Sequence, residues 1–310
     1  MYSLATDDER KRDMDRRIIV LAGVTGDLGE RIARALVRKG ADLRAIVRPG
    51  TLPQKRRHLE AQGITLVESG YDARSVKELC EGVACVVSAL NGLEDVILGQ
   101  QGVLLNAAVL AGVARFIPSD FSLDYTKTRP GENRNMDLRR AFRKSLDAAP
   151  IRATSVLNGA FSTVLTEDAP ILLPRVRRVL HWGAVDQPLD FTTKDDVAEF
   201  TADAALDDAA PRDLRIAGGS LSPQELARIA SEISGKTYRP FRAGSIGRLG
   251  LVIWVAQRVA PAKGEVFPAW QGMQYLRDMM SGRGQLRRLD NGRYGKTDWT
   301  DIRAMICDLV

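Results

Sequence analysis

The chemistry of this chain starts at a glycine-rich turn, Gly23-Val24-Thr25-Gly26-Asp27-Leu28-Gly29. Gly23 suits a tight turn. Gly26 lets a backbone approach a ligand, and Gly29 lets a helix pack closely behind it. The preceding run, Arg17-Ile18-Ile19-Val20-Leu21-Ala22, reads as a strand buried on both faces. Glu30 to Lys39 reads as a helix, with Ile32, Ala33, Ala35 and Leu36 on one side. A helix start presents free N–H groups and a partial positive charge, which suits a pyrophosphate. The turn therefore predicts dinucleotide binding. Asp27 places a negative charge beside that anion and is expected to point away to solvent.

A second strand, Leu43 to Val47, ends at Arg48-Pro49-Gly50-Thr51. Dinucleotide sites selective for NAD place an acid at this strand end, to accept from ribose hydroxyls. An arginine instead grips a 2′-phosphate through paired charge-assisted hydrogen bonds. Arg48 thus predicts NADP(H) in preference to NAD(H). After a third strand, Tyr71-Asp72 lies where a side chain can touch the adenine. The fourth strand ends in Ser88-Ala89, small residues that let a cofactor lie against the backbone.

These residues need a scaffold, and the spacing of apolar runs describes one. Strands at Ile64 to Glu68, Ala84 to Leu90, Ala114 to Pro118 and Ala153 to Leu157 alternate with helices at Ser75 to Glu81, Val103 to Ala111 and Met136 to Ala148. Such alternation predicts an α/β fold, a Rossmann-type doubly wound parallel sheet with ligands at the strand C-terminal ends. The second half is less regular. Asp190 to Leu206 reads as a strand end and a helix beginning near Asp195, and Leu214 to Ala217 as a short strand. Ser222-Pro223-Gln224-Glu225 is a capped helix start, with Gly235 as its stop. A smaller, discontinuous α/β substrate-side lobe is expected. The predicted division is a charged, disordered tail over 1–16, a dinucleotide-binding domain over 17–158, and the lobe over 159–310. About 185–206 returns to the first domain.

Composition narrows the partners. The chain has 310 residues, 45% hydrophobic and 27% charged, enough for a sizeable core. Its net charge of +6 is spread among acids rather than gathered on one face, so no nucleic-acid partner is expected. Two histidines and three cysteines (Cys80, Cys85, Cys307) match no metal-ligand spacing, and no metal site is expected. The cysteines read as reduced thiols of a cytoplasmic protein. The longest apolar run, near Leu249 to Ala256, is far too short to span a bilayer, and no membrane partner is expected. The helix at Ser245 to Val259 packs internally or forms a homodimer contact; both alternatives stand.

Several segments together carry a resemblance. The glycine turn, Ala-Ile-Val-Arg-Pro at 45–49 and Ala-Gly-Val-Ala-Arg-Phe-Ile-Pro-Ser-Asp-Phe at 111–121 resemble the NmrA-like family of atypical short-chain dehydrogenases, which includes isoflavone reductases and phenylcoumaran benzylic ether reductases. Asn158-Gly159-Ala160-Phe161, Asp190 to Ala198 and Leu221 to Leu226 fit the same pattern. The similarity spans about 17–240, and Phe-Ile-Pro-Ser-Asp-Phe is its most specific part. It implies NADPH-dependent reduction of a small aromatic or unsaturated substrate. It implies cofactor contacts at Gly23, Thr25, Gly26, Leu28, Gly29, Arg48 and Ser88, with Pro118, Ser119 and Phe121 by the nicotinamide. Asn158 and Phe161 are implied near the substrate mouth.

One departure concerns proton transfer. The family's reductases carry a lysine on the helix before strand six. Counting back from Ala153-Thr154, that position is Arg139, or Arg143 or Lys144 if a loop changes the register. A desolvated lysine can give up its proton near neutrality; an arginine cannot. Arg139 can polarise a carbonyl, hold an anionic substrate, or be a surface arginine. Tyr125 is another candidate acid, but its i+4 neighbour is Arg129 and Pro130 opposes a helix there. Asp120 and Asp124 are further acid/base candidates beside strand five. Three functions therefore compete: an NADPH-dependent reductase, a dinucleotide-sensing regulator with little or no catalysis, and a redox-neutral isomerase-type enzyme on the same site.

Overall fold

A computed structural model describes residues 17–165, 170–307 and 309–310. The tail expected over 1–16 lies outside the described residues. The first half runs β1 (Ile18–Ala22), α1 (Asp27–Arg38), β2 (Asp42–Val47), α2 (Pro53–Glu60), β3 (Thr65–Glu68), α3 (Ala73–Leu79) and β4 (Cys85–Ser88). A π-helical turn, Asp95–Gln100, leads into α4 (Gln101–Leu110). Then come β5 (Arg115–Ile117), α5 (Arg134–Ala148) and β6 (Arg152–Ala153). The six strands form one parallel sheet in the order β3-β2-β1-β4-β5-β6. The order reverses between β1 and β4, so their C-terminal ends open a crevice, the usual ligand position of this Rossmann-type architecture.

Strand alternation explains why both faces are covered. Ile19 and Leu21 point to a core shared with Ile32 and Leu36 of α1 and Leu59 of α2. Val20 and Ala22 point to the opposite core, with Val76 of α3, Leu104 of α4 and Phe142 of α5. A strand buried on both sides has no polar alternation, which is what the apolar run at 18–22 records.

The second half runs β7 (Ser155–Leu157), β8 (Ala160–Phe161), β9 (Leu172–Leu173), β10 (Arg178–Trp182), β11 (Leu189–Thr192), α6 (Lys194–Leu206), β12 (Asp213–Arg215), β13 (Gly219–Leu221), α7 (Pro223–Ser234), β14 (Arg239–Gly244), α8 (Ile246–Val259), α9 (Ala269–Met280) and α10 (Ile302–Cys307). Helix α6 packs beside α1 and shares its core through Val197 and Phe200. The strands form small sheets, β14-β10-β9 and β13-β11-β8, around a third core that includes Leu226, Leu249 and Met279. This is the smaller mixed α/β lobe.

Some expected elements shift. The sixth strand is two pieces: β6 pairs with β5, then the chain changes partner at Thr154 and β7 pairs with β12. Strand four stops at Ser88 rather than Leu90, and α1 begins at Asp27 rather than Glu30. Helix α2 and the β14-β10-β9 sheet had no counterpart in the sequence reading. Helix α7 has the expected cap: Ser222 Oγ accepts from the Glu225 amide, the Glu225 carboxylate accepts from the Ser222 amide, and Gly235 ends the helix at φ 67°.

Candidate functional site

The three glycines of the turn do different things. Gly23 has φ +90°, and a Cβ there would lie 2.5 Å from the Ala89 carbonyl oxygen. A Cβ on Gly29 would lie 2.0 Å from the Gly23 carbonyl oxygen, so this position closes the turn onto its own helix. Gly26 differs: a Cβ there would have only the Gly23 oxygen as neighbour, at 3.5 Å, and would otherwise project into open space. Gly26 is also the N-cap of α1 and offers no side chain to the first-turn amides. Those N–H groups are left for a ligand.

Asp27 belongs to the lining of the cavity described next, and its side chain is half exposed; the carboxylate accepts from Lys194 Nζ and Arg31 Nε, each at 2.7 Å. The hydrogen bond from Lys194, then that from Arg31, holds its pKa below the usual carboxylate range. The negative charge is therefore compensated in place.

A cavity of about 340 Å³ opens between the turn and the lobe. Of the residues singled out from sequence, Gly26, Asp27, Leu28, Gly29, Ala89, Ser119, Phe121, Arg139 and Phe161 line it. Ser119 is locked by its Oγ donating to the Leu90 carbonyl at 2.6 Å and its amide donating to Gln101 Oε1 at 2.9 Å. The remaining expected cofactor residues lie off this wall. Gly23 sits against Ala89, and Thr25 is exposed on the outside of the turn. Pro118 and Ser88 are buried at their strand ends, Ser88 with its Oγ unpartnered. Asp72 is the N-cap of α3: its carboxylate accepts from the Ser75 amide at 2.9 Å, a structural duty that accounts for it. Asn158 is fully buried beside cavity-lining Gly159, with neither amide atom partnered.

Arg48 lies exposed just past β2. Its neighbours Lys55 and Arg56 are taken by Glu30 and Glu68, while Arg48 has no ion pair among the described residues. It is near enough to Tyr71 to lower that phenol's pKa, although burial dominates and pushes it up to about 12.

The proton-transfer candidates separate cleanly. Arg139 of α5 reaches the cavity and is 8% exposed. The alternative registers do not: Arg143 pairs with Asp213 and Lys144 is exposed. Tyr125 and Asp120 are off the cavity wall. The Tyr125 hydroxyl donates to Asp120 Oδ2 at 2.7 Å, and Ser155 Oγ donates to the same oxygen at 2.6 Å. Arg212 Nη1 donates on to Ser155 Oγ at 2.7 Å. Burial raises the Asp120 pKa against these hydrogen bonds, and burial and then Asp120 raise that of Tyr125. The pair knits α5, β7 and the strand-five loop together; neither side chain faces the cavity. Asp124 is likewise consumed by Lys127 and Arg215.

Other wall residues were not singled out from sequence. Lys194 starts α6 opposite the glycine turn. Gly272, Tyr275, Leu276 and Met279 form one face of α9, and Phe267 precedes it. Their spacing of three and four marks a helix face, but nothing local tells that face from one buried against protein. Lys194 did carry a signal: a cation at the first position of a helix returning to the sheet.

The model of the NmrA-like family matches residues 14–243. The chain is 28% identical over 249 residues to pinoresinol reductase 1 of Arabidopsis thaliana, covering 74% of this chain and 77% of that one. Among solved structures, an isoflavone reductase superposes with a TM-score of 0.81 at 20% identity, covering 95% of this chain and 100% of that one. A binary complex of leucoanthocyanidin reductase with NADPH from Vitis vinifera gives 0.78 at 20%, covering 94% and 98%. The structural matches extend the shared fold through the C-terminal residues beyond the family match.

Proposed function

The chain belongs to the NmrA-like family, and on that footing we propose that it is an NADPH-dependent reductase of a small aromatic or unsaturated substrate. The carrying observation is one cavity that joins the open face of Gly26 and the uncapped start of α1 to an aromatic wall of Phe161, Phe267 and Tyr275. The names of the relatives, reductases of aromatic compounds and one NADPH complex, support the same reading.

The residues fit the cofactor. A side chain at Gly26 would fill the space a pyrophosphate needs, and the α1 amides are oriented to donate to it. Arg48 supplies the uncommitted cation for a 2′-phosphate. The bound dinucleotide would supply hydride. The aromatic side chains would exclude water and hold a flat substrate against it. Arg139 would hold negative charge on the substrate but transfers no proton, because a guanidinium stays charged. The proton would come from solvent water or from Tyr275, which lines the same cavity. Mixing the protein with NADPH and a panel of aromatic enones, quinones and lignan-type ethers should deplete the nicotinamide absorbance band. Tight NADPH binding with no acceptor reduced would remove the reductase assignment.

One observation favours a second reading, dinucleotide sensing without turnover: Tyr125 and Asp120 are turned from the cavity and Arg139 cannot act as an acid. Partner capture with and without NADP⁺ tests it; identical partner sets argue against sensing. No helix among the described residues is long and apolar enough to cross a membrane. We place the protein in the cytoplasm, consistent with three free cysteines, and assign a homodimer contact to the exposed Leu251, Trp254 and Val255 of α8. Sedimentation of Trp254→Glu as a monomer beside a dimeric wild type would support that assignment; two equal masses would not.

A further inference from the structure

Arg139 is a buried charge without a partner. Its Nη1 donates to the Asn135 carbonyl at 3.1 Å, one turn back on α5, and its Nε is buried with nothing to donate to. No carboxylate among the described residues pairs with it, although Asp120 feels its field. Most other arginines around α5 are committed: Arg140 to Asp137, Arg143 to Asp213, Arg212 to Asp147. A guanidinium cannot shed its charge to escape burial, and an unpaired buried ion is costly. Such a group facing an open cavity calls for an anion that arrives with the ligand.

We propose that Arg139 is the specificity determinant of this site and that the substrate is anionic: an aromatic or unsaturated carboxylate, held by the planar guanidinium fork. The proposal rests on the reductase reading and specifies its substrate class. A second unpartnered donor lies close by: Asn158, fully buried off the wall and adjacent in the chain to cavity-lining Gly159, has an amide nitrogen without a partner among the described residues. The pyrophosphate of the cofactor would have its own donors, the α1 amides behind Gly26. A developing oxyanion would use Arg139 only during turnover, whereas a carboxylate neutralises it in the ground state as well. The effect therefore belongs mainly in KM and in binding rather than in kcat.

Calorimetric titration of the protein with cinnamate, methyl cinnamate and cinnamamide, with and without NADP⁺, reads this directly. Cinnamate is expected to bind more tightly than its neutral analogues by on the order of tenfold to a hundredfold, the range of a hydrogen bond to a charged group. Arg139→Met should abolish that preference while leaving NADP⁺ affinity unchanged, and Arg139→Lys should keep part of it as a point charge. Thermal unfolding adds an independent readout: Arg139→Met should melt at or above the wild-type temperature, because it removes an unpaired buried ion. Equal binding of acid and ester, no binding of the acid, or a preference that survives Arg139→Met would each overturn the proposal. So would marked destabilisation by Arg139→Met, which would reveal a partner within the protein. Failure of NADP⁺ to bind wild type would instead count against the cofactor reading, and the acid-over-ester comparison is still read without it.

Discussion

Lys194 Nζ stands 2.7 Å from Asp27 Oδ2, tying the first residue of α6 to the first residue of α1 across the mouth of the cavity. Asp27 is the one acid in the glycine turn, and its charge opposes a bound phosphate. Lys194 and Arg31 offset it. Lys194→Ala should therefore weaken NADPH binding by on the order of tenfold, and Asp27→Asn should tighten it, both effects shrinking at high salt. Stability should move by less than about 1 kcal/mol, because the pair is partly solvated. The sign with pH follows from the lowered Asp27 pKa. Its small stabilisation is present above the ordinary carboxylate value and is lost as pH falls through the lowered one, so none of it changes near neutrality. Fluorescence titration with NADPH checks the binding effects.

Gly26 and Gly29 should fail in different ways. Gly26→Ala places a methyl group in the ligand's space in only ordinary contact with the Gly23 oxygen, so NADPH binding should be lost while the melting temperature holds. Gly29→Ala drives a Cβ to 2.0 Å from the Gly23 carbonyl oxygen. It should cost on the order of 1–3 kcal/mol of stability, as overpacking does. Thermal denaturation and NADPH titration of both variants separate the roles, and matching losses in the two would contradict the division.

The Tyr125–Asp120 contact is structural in this account. Tyr125→Phe should lower stability by about 1–3 kcal/mol and leave kcat for NADPH oxidation largely intact. Abolished turnover in a well-folded variant would return Tyr125 to the chemistry. Asp120 carries a pH signature of opposite sign to Asp27. Burial raises its folded-state pKa, so its contribution is most favourable below the ordinary carboxylate value and is lost as pH rises through the raised one. Relative to wild type, Asp120→Asn should accordingly gain stability with rising pH across that window, a trend measurable by denaturant unfolding.

Arg48 should set cofactor choice. Arg48→Ala removes hydrogen bonds to a charged group, so NADPH affinity should fall on the order of tenfold to a hundredfold while NADH affinity stays put. Equal losses for both cofactors, or none, would show that the 2′-phosphate lies elsewhere.

How much of this was written in the residue pattern differs between the halves. The Rossmann-type sheet was readable because each central strand is a short apolar run buried on both faces, as at Ile19 to Ala22. Counting back from strand six named Arg139 but left Arg143 and Lys144 open, because the loop between helix and strand sets the register; of the three, only Arg139 lines the cavity. The lobe was harder. Strand β14 pairs with β10 through Arg239 and Arg178, far apart in sequence, and its Arg-Pro-Phe-Arg-Ala-Gly run is mostly exposed and has no alternation to read. The cavity face of α9 looked like any amphipathic helix until α9 was seated against the sheet. Tyr125 invited a functional reading because its partner, Asp120, is identified only in the folded chain, whereas the cap role of Asp72 was a local signal, an Asp three residues before Ser75 at a helix start.

Hydride delivery from NADPH to a small unsaturated or aromatic substrate held beside Arg139 is the reaction on which the proposed function stands. Hydride delivery is read by supplying NADPH deuterated at both C4 positions of the nicotinamide with a panel of aromatic enones and unsaturated aryl carboxylates, and following deuterium by mass spectrometry. One deuterium is expected in the reduced product, matched to NADPH consumed, with NADH a much poorer donor. Saturable NADPH binding with no deuterium in any product, or a product altered without NADPH consumption, would contradict it.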